Sequence, residues 1–298
     1  MRVLVFGSLN IDRTYWLKSI VRPGETVSAS ELRLYCGGKG LNQSVAFARA
    51  GSETRFAGAV GTDGKMLLDK LDENGIDRRM VQTLDGESGH AVIQVDENGQ
   101  NSIIILAGAN GRITREYIER VLDGSEAGDL IMLQNEINNL PLIIEKAHEK
   151  GLVTALNPSP YNEKIDACDL EKVDYLLINE TEGAAIAGVT EPDGILSALH
   201  AAYPRMNVVL TLGESGSVYM DREGSTERFG IFPVKAVDTT AAGDTFTGYF
   251  MTELLGGAAP KDALRTAAAA SAISVSREGA VPSIPTREEV KKMLGEDK

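Results

Sequence analysis

Short apolar runs alternate with helical patterns along most of this chain, and that alternation restricts the fold more than any other feature. Strand-like runs cover residues 54–60, 130–133, 152–156, 175–178 and 208–212, and helix-like patterns cover 65–71, 142–150, 182–187 and 195–202. A run that is apolar along its whole length is buried on both faces, and a helix between two such runs supplies the crossover that parallel strands need. The pattern predicts an α/β fold with a mostly parallel central sheet and helices on both faces. Residues 3–8 read as one more buried strand, since four apolar residues precede Gly7 and Ser8.

Two stretches break the alternation. Residues 13–35 have no helical period, Pro23-Gly24 marks a turn, and 26–35 partly alternates. Residues 90–95 and 102–106 read as a hairpin around 96–100. These extended segments predict a small β-sheet standing apart from the main one, a lid formed by about 12–36 and 89–107 on a single domain spanning 1–298. A second hairpin, 217–220 with 226–229, leads into the segment 237–246.

Charge and cysteine content narrow the partners. A formal net charge of −13 and a pI near 4.8 argue against a nucleic-acid surface, which is basic. They do not exclude an anionic substrate, because a helix end or a metal ion neutralises one locally. Cys36 and Cys168 are the only cysteines, so neither a disulfide framework nor a cysteine zinc site is expected, in keeping with the cytoplasm. The Ala-rich run 267–275 carries Ser271 and Ser274 and is flanked by Arg265 and Arg277, which predicts a packing helix and no membrane span. The apolar run at 3–6 is too short for a signal segment.

The chemistry concentrates at 237–246. An apolar stretch ends in Asp238, Thr239 and Thr240; Ala241, Ala242 and Gly243 follow, and Asp244 opens a helical pattern through Phe246, Phe250 and Leu254 that stops at Gly256-Gly257. Small residues at a helix start let its unpaired N–H groups meet a ligand, and an anion is favoured there. Asp244 sits beside that anion hole as a carboxylate able to accept a proton, the pairing that phosphoryl transfer to a hydroxyl requires. An acid in a first helical turn is also an ordinary capping choice, so the segment alone does not decide.

Acids and amides recur where predicted strands end: Asn10 and Asp12, Asn42, Glu136, Asn157, Asn179 with Glu182, and Thr211 with Gly213. The carboxyl edge of a parallel sheet is its ligand edge. Carboxylates and amides suit a neutral polyol, and Glu182 suits a magnesium ion, bound directly or through water. No G-x-x-x-x-G-K-[ST] occurs, and no G-x-G-x-x-G follows the first strand. Three histidines without a G-x-S-x-G give little support to a hydrolase triad.

Gly37-Gly38-Lys39-Gly40 with Asn42, together with 238–244, resembles the two signatures of the ribokinase-like (PfkB) sugar kinases. Segments 7–12, 23–26, 107–110, 157–158, 179–182, 211–213 and 277–283 are similar to that family in the same order. The resemblance implies a three-layer sandwich and an ATP-dependent kinase for the primary hydroxyl of a sugar, ribose giving ribose 5-phosphate. It implies Asp244 as the base and the N–H groups of Ala241, Ala242 and Gly243 as the anion hole. Asn10, Asp12, Gly38, Lys39, Asn42 and Glu136 would hold the sugar, and Asn179, Thr211, Gly213 and Gly243 the ATP. Glu182 would organise magnesium. Asp238, the carbonyls of Thr240, Ser274 and Gly279, and the Ser283 hydroxyl would hold potassium. A homodimer through the lid is implied as well.

Arg13, Tyr15, Trp16 and Asn135 depart from the family's usual residues, and the Ala267 helix lacks the polar residue often found beside adenine. Kinases for nucleosides, fructose or deoxyribose stay open as alternatives. So does a sugar-binding regulator without catalysis, which would have no use for both Asp244 and the small residues beside it.

Overall fold

The computed structural model describes residues 2–296. A nine-stranded sheet has the order β13-β12-β11-β10-β9-β8-β1-β4-β5, and a separate four-stranded sheet has the order β3-β2-β6-β7. In the large sheet β1 (Arg2–Phe6), β4 (Glu53–Val60), β5 (Asp77–Thr83), β8 (Leu130–Gln134), β9 (Val153–Asn157), β10 (Tyr175–Asn179) and β11 (Asn207–Thr211) run parallel. β12 (Ser217–Met220) and β13 (Thr226–Phe229) add an antiparallel edge, the hairpin expected from the sequence.

Helices cover both faces because strand residues point alternately to each. Leu4 and Phe6 of β1 enter one core, with α3 (Arg115–Asp123), α4 (Leu140–Glu149), α5 (Glu180–Ala187) and α6 (Pro192–Ala202). Val3 and Val5 enter the other, with α1 (Lys39–Ala50), α2 (Lys65–Glu73), α7 (Ala242–Leu255), α8 (Pro260–Val275) and α9 (Arg287–Leu294). Strand order reverses around β1, which lies between β4 and β8. Such a switch point opens a crevice at the carboxyl edge.

One contact between helices positions the chemistry. A Cβ on Gly248 of α7 would overlap the Ala46 side chain of α1, so only glycine lets these helices approach so closely. The approach brings the first turns of α1 and α7 together across some 200 residues of sequence.

The small sheet consists of β2 (Asn10–Trp16), β3 (Glu31–Gly37), β6 (Gly89–Val95) and β7 (Asn101–Leu106). β2 pairs antiparallel with β3 and parallel with β6, and β6 pairs antiparallel with β7. Asn10 and Asp12, whose residue types also suit a turn, lie on strand β2. Trp16, one of the departures from the family pattern, is covered by the Arg33 guanidinium at 5.0 Å from its ring centre. Among the described residues, no helix is long and apolar enough to cross a membrane.

Candidate active site

The mouth of α7 is a strained turn. Ala241, its N-cap, has φ 60°, the left-handed region that costs a non-glycine residue about 1–2 kcal/mol. The turn holds the next N–H groups outward. Ala242 N–H reaches Thr239 O at a long 3.3 Å, while the N–H groups of Ala241 and Gly243 make no hydrogen bond among the described residues. Asp244 follows, 6% exposed. Asn42 Nδ2 donates to its Oδ2 at 3.0 Å, and Gln43 Nε2 donates to its Oδ1 at 2.9 Å. A buried carboxylate therefore stands next to open donors, with each oxygen held by an amide.

A second cluster forms where β1 ends beside α1 and β8. Glu136 Oε2 accepts from Lys39 N at 2.9 Å and from the Ser8 hydroxyl, so this carboxylate also caps the positive end of α1. Asn10 Oδ1 accepts from Asn110 Nδ2 at 2.8 Å, which turns the Asn10 NH₂ group away as a free donor. Asn110 is itself fixed by both backbone groups of Leu9. The Asp12 carboxylate makes no hydrogen bond among the described residues and lies where a Cβ on Gly37 would be. Burial, with Glu136 nearby, pushes Asp12 up to about 7. The Oδ1 of Asn42 is buried without a partner among the described residues. An ionisable carboxyl, a free amide and an orphaned acceptor in one cluster suit a ligand rich in hydroxyls.

Lys39 connects this cluster to a cavity of about 230 Å³ lined by Asn157, Asn179, Glu182, Thr211, Ala241, Gly243 and Asp244 among others. Burial works against the Lys39 ammonium, but the carboxylates of Asp244, Glu136 and Glu182 outweigh it and hold the group above its ordinary value. Asn179 and Glu182 form a capping box on α5: Asn179 Oδ1 accepts from Glu182 N at 2.9 Å and Glu182 Oε2 from Asn179 N at 3.1 Å. Glu182 is buried, and its Oε1 has no hydrogen bond among the described residues.

A second cavity of about 490 Å³ abuts the first across Thr211, Thr239, Ala242, Gly243 and Phe246. Gly213 lines it, with Phe232, Val234, Ala268, Ala272 and Val275 forming apolar walls. Such a slot suits a flat heterocycle. Asn10, Asp12, Gly38, Asn42 and Glu136 line neither cavity; they form their own cluster, reached through Lys39 and Asp244.

Asp238 lies outside these cavities. Its Oδ1 accepts from Thr240 N at 2.9 Å and Thr240 Oγ1 at 2.6 Å, and its Oδ2 from Gly279 N at 2.9 Å. Burial opposes ionisation, but these three donors outweigh it and hold the carboxyl below its usual value. Ser274 and Ser283 meet hydroxyl to hydroxyl at 2.9 Å, and the Ser274 carbonyl accepts from Arg277 N at 3.1 Å. Of the expected potassium residues, Asp238 and Thr240 thus lie on the loop before α7, Ser274 on the last turn of α8, and Gly279 and Ser283 on the segment after it, which the Gly279–Asp238 hydrogen bond joins to the first.

Gln43 and Gln134 are site residues that the sequence patterns do not single out, while Ser8 and Asn110 lie in stretches similar to the family without a role being expected of them. Gln43 adjoins Asn42, and Gln134 stands at a strand end among other amides. Asn135 is structural, since its Nδ2 donates to Pro160 O at 2.7 Å and Asn162 Oδ1 at 3.1 Å, tying two strand-end loops together.

The pfkB family carbohydrate kinase model matches residues 1–287. The ribokinase of Haemophilus influenzae is 37% identical to this chain over 97% of each. Among solved structures, the ribokinase of Thermotoga maritima superposes with a TM-score of 0.87 at 35% identity, covering 99% of both chains. That of Arabidopsis thaliana, complexed with ribose and ATP, gives 0.86 at 31% identity over 98% of both. Both signature stretches fall at the switch point and the helix mouth, inside a match that runs nearly the whole length: the chain belongs to the pfkB family of carbohydrate kinases, phosphotransferases with an alcohol group as acceptor.

Proposed function

We propose that this chain transfers the γ-phosphoryl group of ATP to the primary hydroxyl of D-ribose, giving ribose 5-phosphate and ADP. The observation that carries this reading is Asp244, a buried carboxylate gripped by two amides at a helix mouth with unbonded N–H groups. Ribokinase relatives at about one-third identity, one of them solved with ribose and ATP, support ribose as acceptor and ATP as donor.

Asp244 takes the proton of the 5-hydroxyl as its oxygen attacks the γ-phosphorus. The bond from that phosphorus to the β–γ bridging oxygen breaks, and the electron pair leaves on ADP. Negative charge on the migrating group meets the N–H groups of the 241–243 turn and the Lys39 ammonium. Asn10 donates to the ring hydroxyls, while Asp12, Asn42 and Glu136 accept from them; Gly38 keeps the backbone close. The adenine ring lies in the larger cavity and the phosphates run past Asn179, Thr211, Gly213 and Gly243 into the smaller one.

Glu182 fits a magnesium ion, since its free Oε1 is a hard donor at the phosphate cavity; bound there, the ion neutralises phosphate charge. Asp238, Thr240, Ser274 at the end of α8, Gly279 and Ser283 fit potassium: the donors are oxygens, and Asp238 has no ion-pair partner among the described residues. The small sheet serves as a lid on the single domain. Its Leu32, Leu34, Ile104 and Leu106 are 49–62% exposed, and a second copy of the chain would cover such a patch. Two free cysteines, both buried, accord with work in the cytoplasm.

The test is ADP release from ATP with each of about a dozen sugars and nucleosides. Ribose should stimulate release most strongly. Strong stimulation by a nucleoside, fructose or deoxyribose, with none by ribose, would replace ribose as the acceptor; no stimulation by any would remove catalysis.

A further inference from the structure

We infer that Gln43 is a positioning residue for Asp244, anchoring that carboxylate to the central sheet through a buried chain of amides. The inference rests on the reading of Asp244 as the base. Gln43 is fully buried. Its Nε2 donates to Asp244 Oδ1 at 2.9 Å and to Asn157 Oδ1 at 3.2 Å, and its Oε1 accepts from Gln134 Nε2 at 2.6 Å. Asn157 Nδ2 in turn donates to the Leu177 carbonyl at 2.8 Å.

The ends of this chain fix its direction. A carboxylate and a backbone carbonyl only accept, so Asn157 must present its oxygen to Gln43, and Gln43 its NH₂ group to both. Both amide hydrogens of Gln43 are then engaged, and its oxygen is left for Gln134. Flipping Gln43 or Asn157 breaks at least two of the contacts. Gln134 and Asn157 are register partners on β8 and β9, so the carboxylate is tied to the sheet as well as to its own helix. Gln134 Oε1 is buried with no partner among the described residues, an arrangement that costs stability and leaves the bond from Nε2 to Gln43 as the one its side chain makes there.

An oriented base needs this more than a bound sugar does. Asn42 holds Oδ2, but one hydrogen bond lets the carboxylate swing about its Cβ–Cγ bond, and Gln43 fixes its plane. A misplacement on the order of 1 Å costs about 10²-fold in rate.

The test is steady-state kinetics on the full chain for Gln43→Met, Gln43→Glu and Gln134→Met, with Gln43→Met repeated in an Asp244→Asn background. Gln43→Met should lower kcat about 10²-fold while the sugar KM moves less than about threefold. In the Asp244→Asn background the same change should cost less than about threefold, because residues acting as a unit are not additive. Gln43→Glu sets carboxylate against carboxylate and should move the acid limb of the kcat profile upward by about one pH unit or more. Gln134→Met leaves Gln43 in place but unpinned and should lower kcat about tenfold, which keeps the test alive if Gln43→Met does not fold. Losses that multiply in the two backgrounds, or an unmoved pH profile in Gln43→Glu, would overturn the inference. An Asp244→Asn variant with full turnover would instead overturn the reading beneath it.

Discussion

Asp12 is the residue of the proposed sugar site whose carboxyl a bound sugar would affect through both charge and hydrogen bonding. Its carboxyl is raised to about 7, chiefly by burial and then by Glu136. A raised folded value means that the folded state holds a proton the unfolded chain has lost, so stability falls as pH rises from about 4 through 7. Asp12→Asn should therefore raise the melting temperature of the ligand-free protein more at pH 8 than at pH 5. Sugar hydroxyls donate best to the ionised form, so wild-type affinity by calorimetry should tighten over the same rise in pH. Asp12→Ala should weaken sugar binding by about 1.5–3 kcal/mol while sparing ATP. An affinity that ignores both pH and the substitution would move the sugar elsewhere. At this scale the sequence disclosed the residues proposed to touch ligands, because Asp12, Asn42 and Asp244 sit in recognisable stretches. It did not disclose the roles of Gln43 and Asn110, whose side-chain partners lie about 90 or more residues away and which act on other side chains.

Among the elements, α1 and α7 matter most, since their first turns meet only because Gly248 has no side chain. Gly248→Val should destabilise the chain by about 1–3 kcal/mol through overpacking and lower kcat by parting Asn42 and Gln43 from Asp244. Unchanged melting temperature and kcat would show that the approach is not tight. The loops at 237–241 and 275–283 are the second such pair. Potassium should give faster initial rates than sodium or a bulky organic cation at equal ionic strength, and Asp238→Ala should erase the difference; equal wild-type rates in all three salts would remove the site. The apolar strands were legible because burial on both faces leaves an unbroken run. β5 was not, since this edge strand reads Asp77-Arg78-Arg79-Met80-Val81-Gln82-Thr83 and has no fully buried residue. α3 and α9 carry readable start signals, Thr114 capping one and the Thr286–Glu289 box the other, that the strand–helix alternation overshadowed.

Across the whole molecule, the small sheet leaves Leu32, Leu34, Ile104 and Leu106 exposed, the patch on which the proposed pairing of two copies rests. Sedimentation at micromolar concentration should give a dimer, and Ile104→Glu should give a monomer; a wild-type monomer would count against pairing through the lid. The sheet, the switch point and the helix mouth serve a single arrangement, in which one buried carboxylate stands between the cluster proposed to hold the sugar and the cavity proposed to hold the phosphates. The most direct test of that arrangement is turnover by Asp244→Asn, with sugar and ATP binding measured on the same preparation. Both ligands should bind within about threefold of wild type while kcat falls about 10²- to 10⁴-fold. Turnover above about a tenth of wild type, against that expected loss, would mean that another group takes the proton.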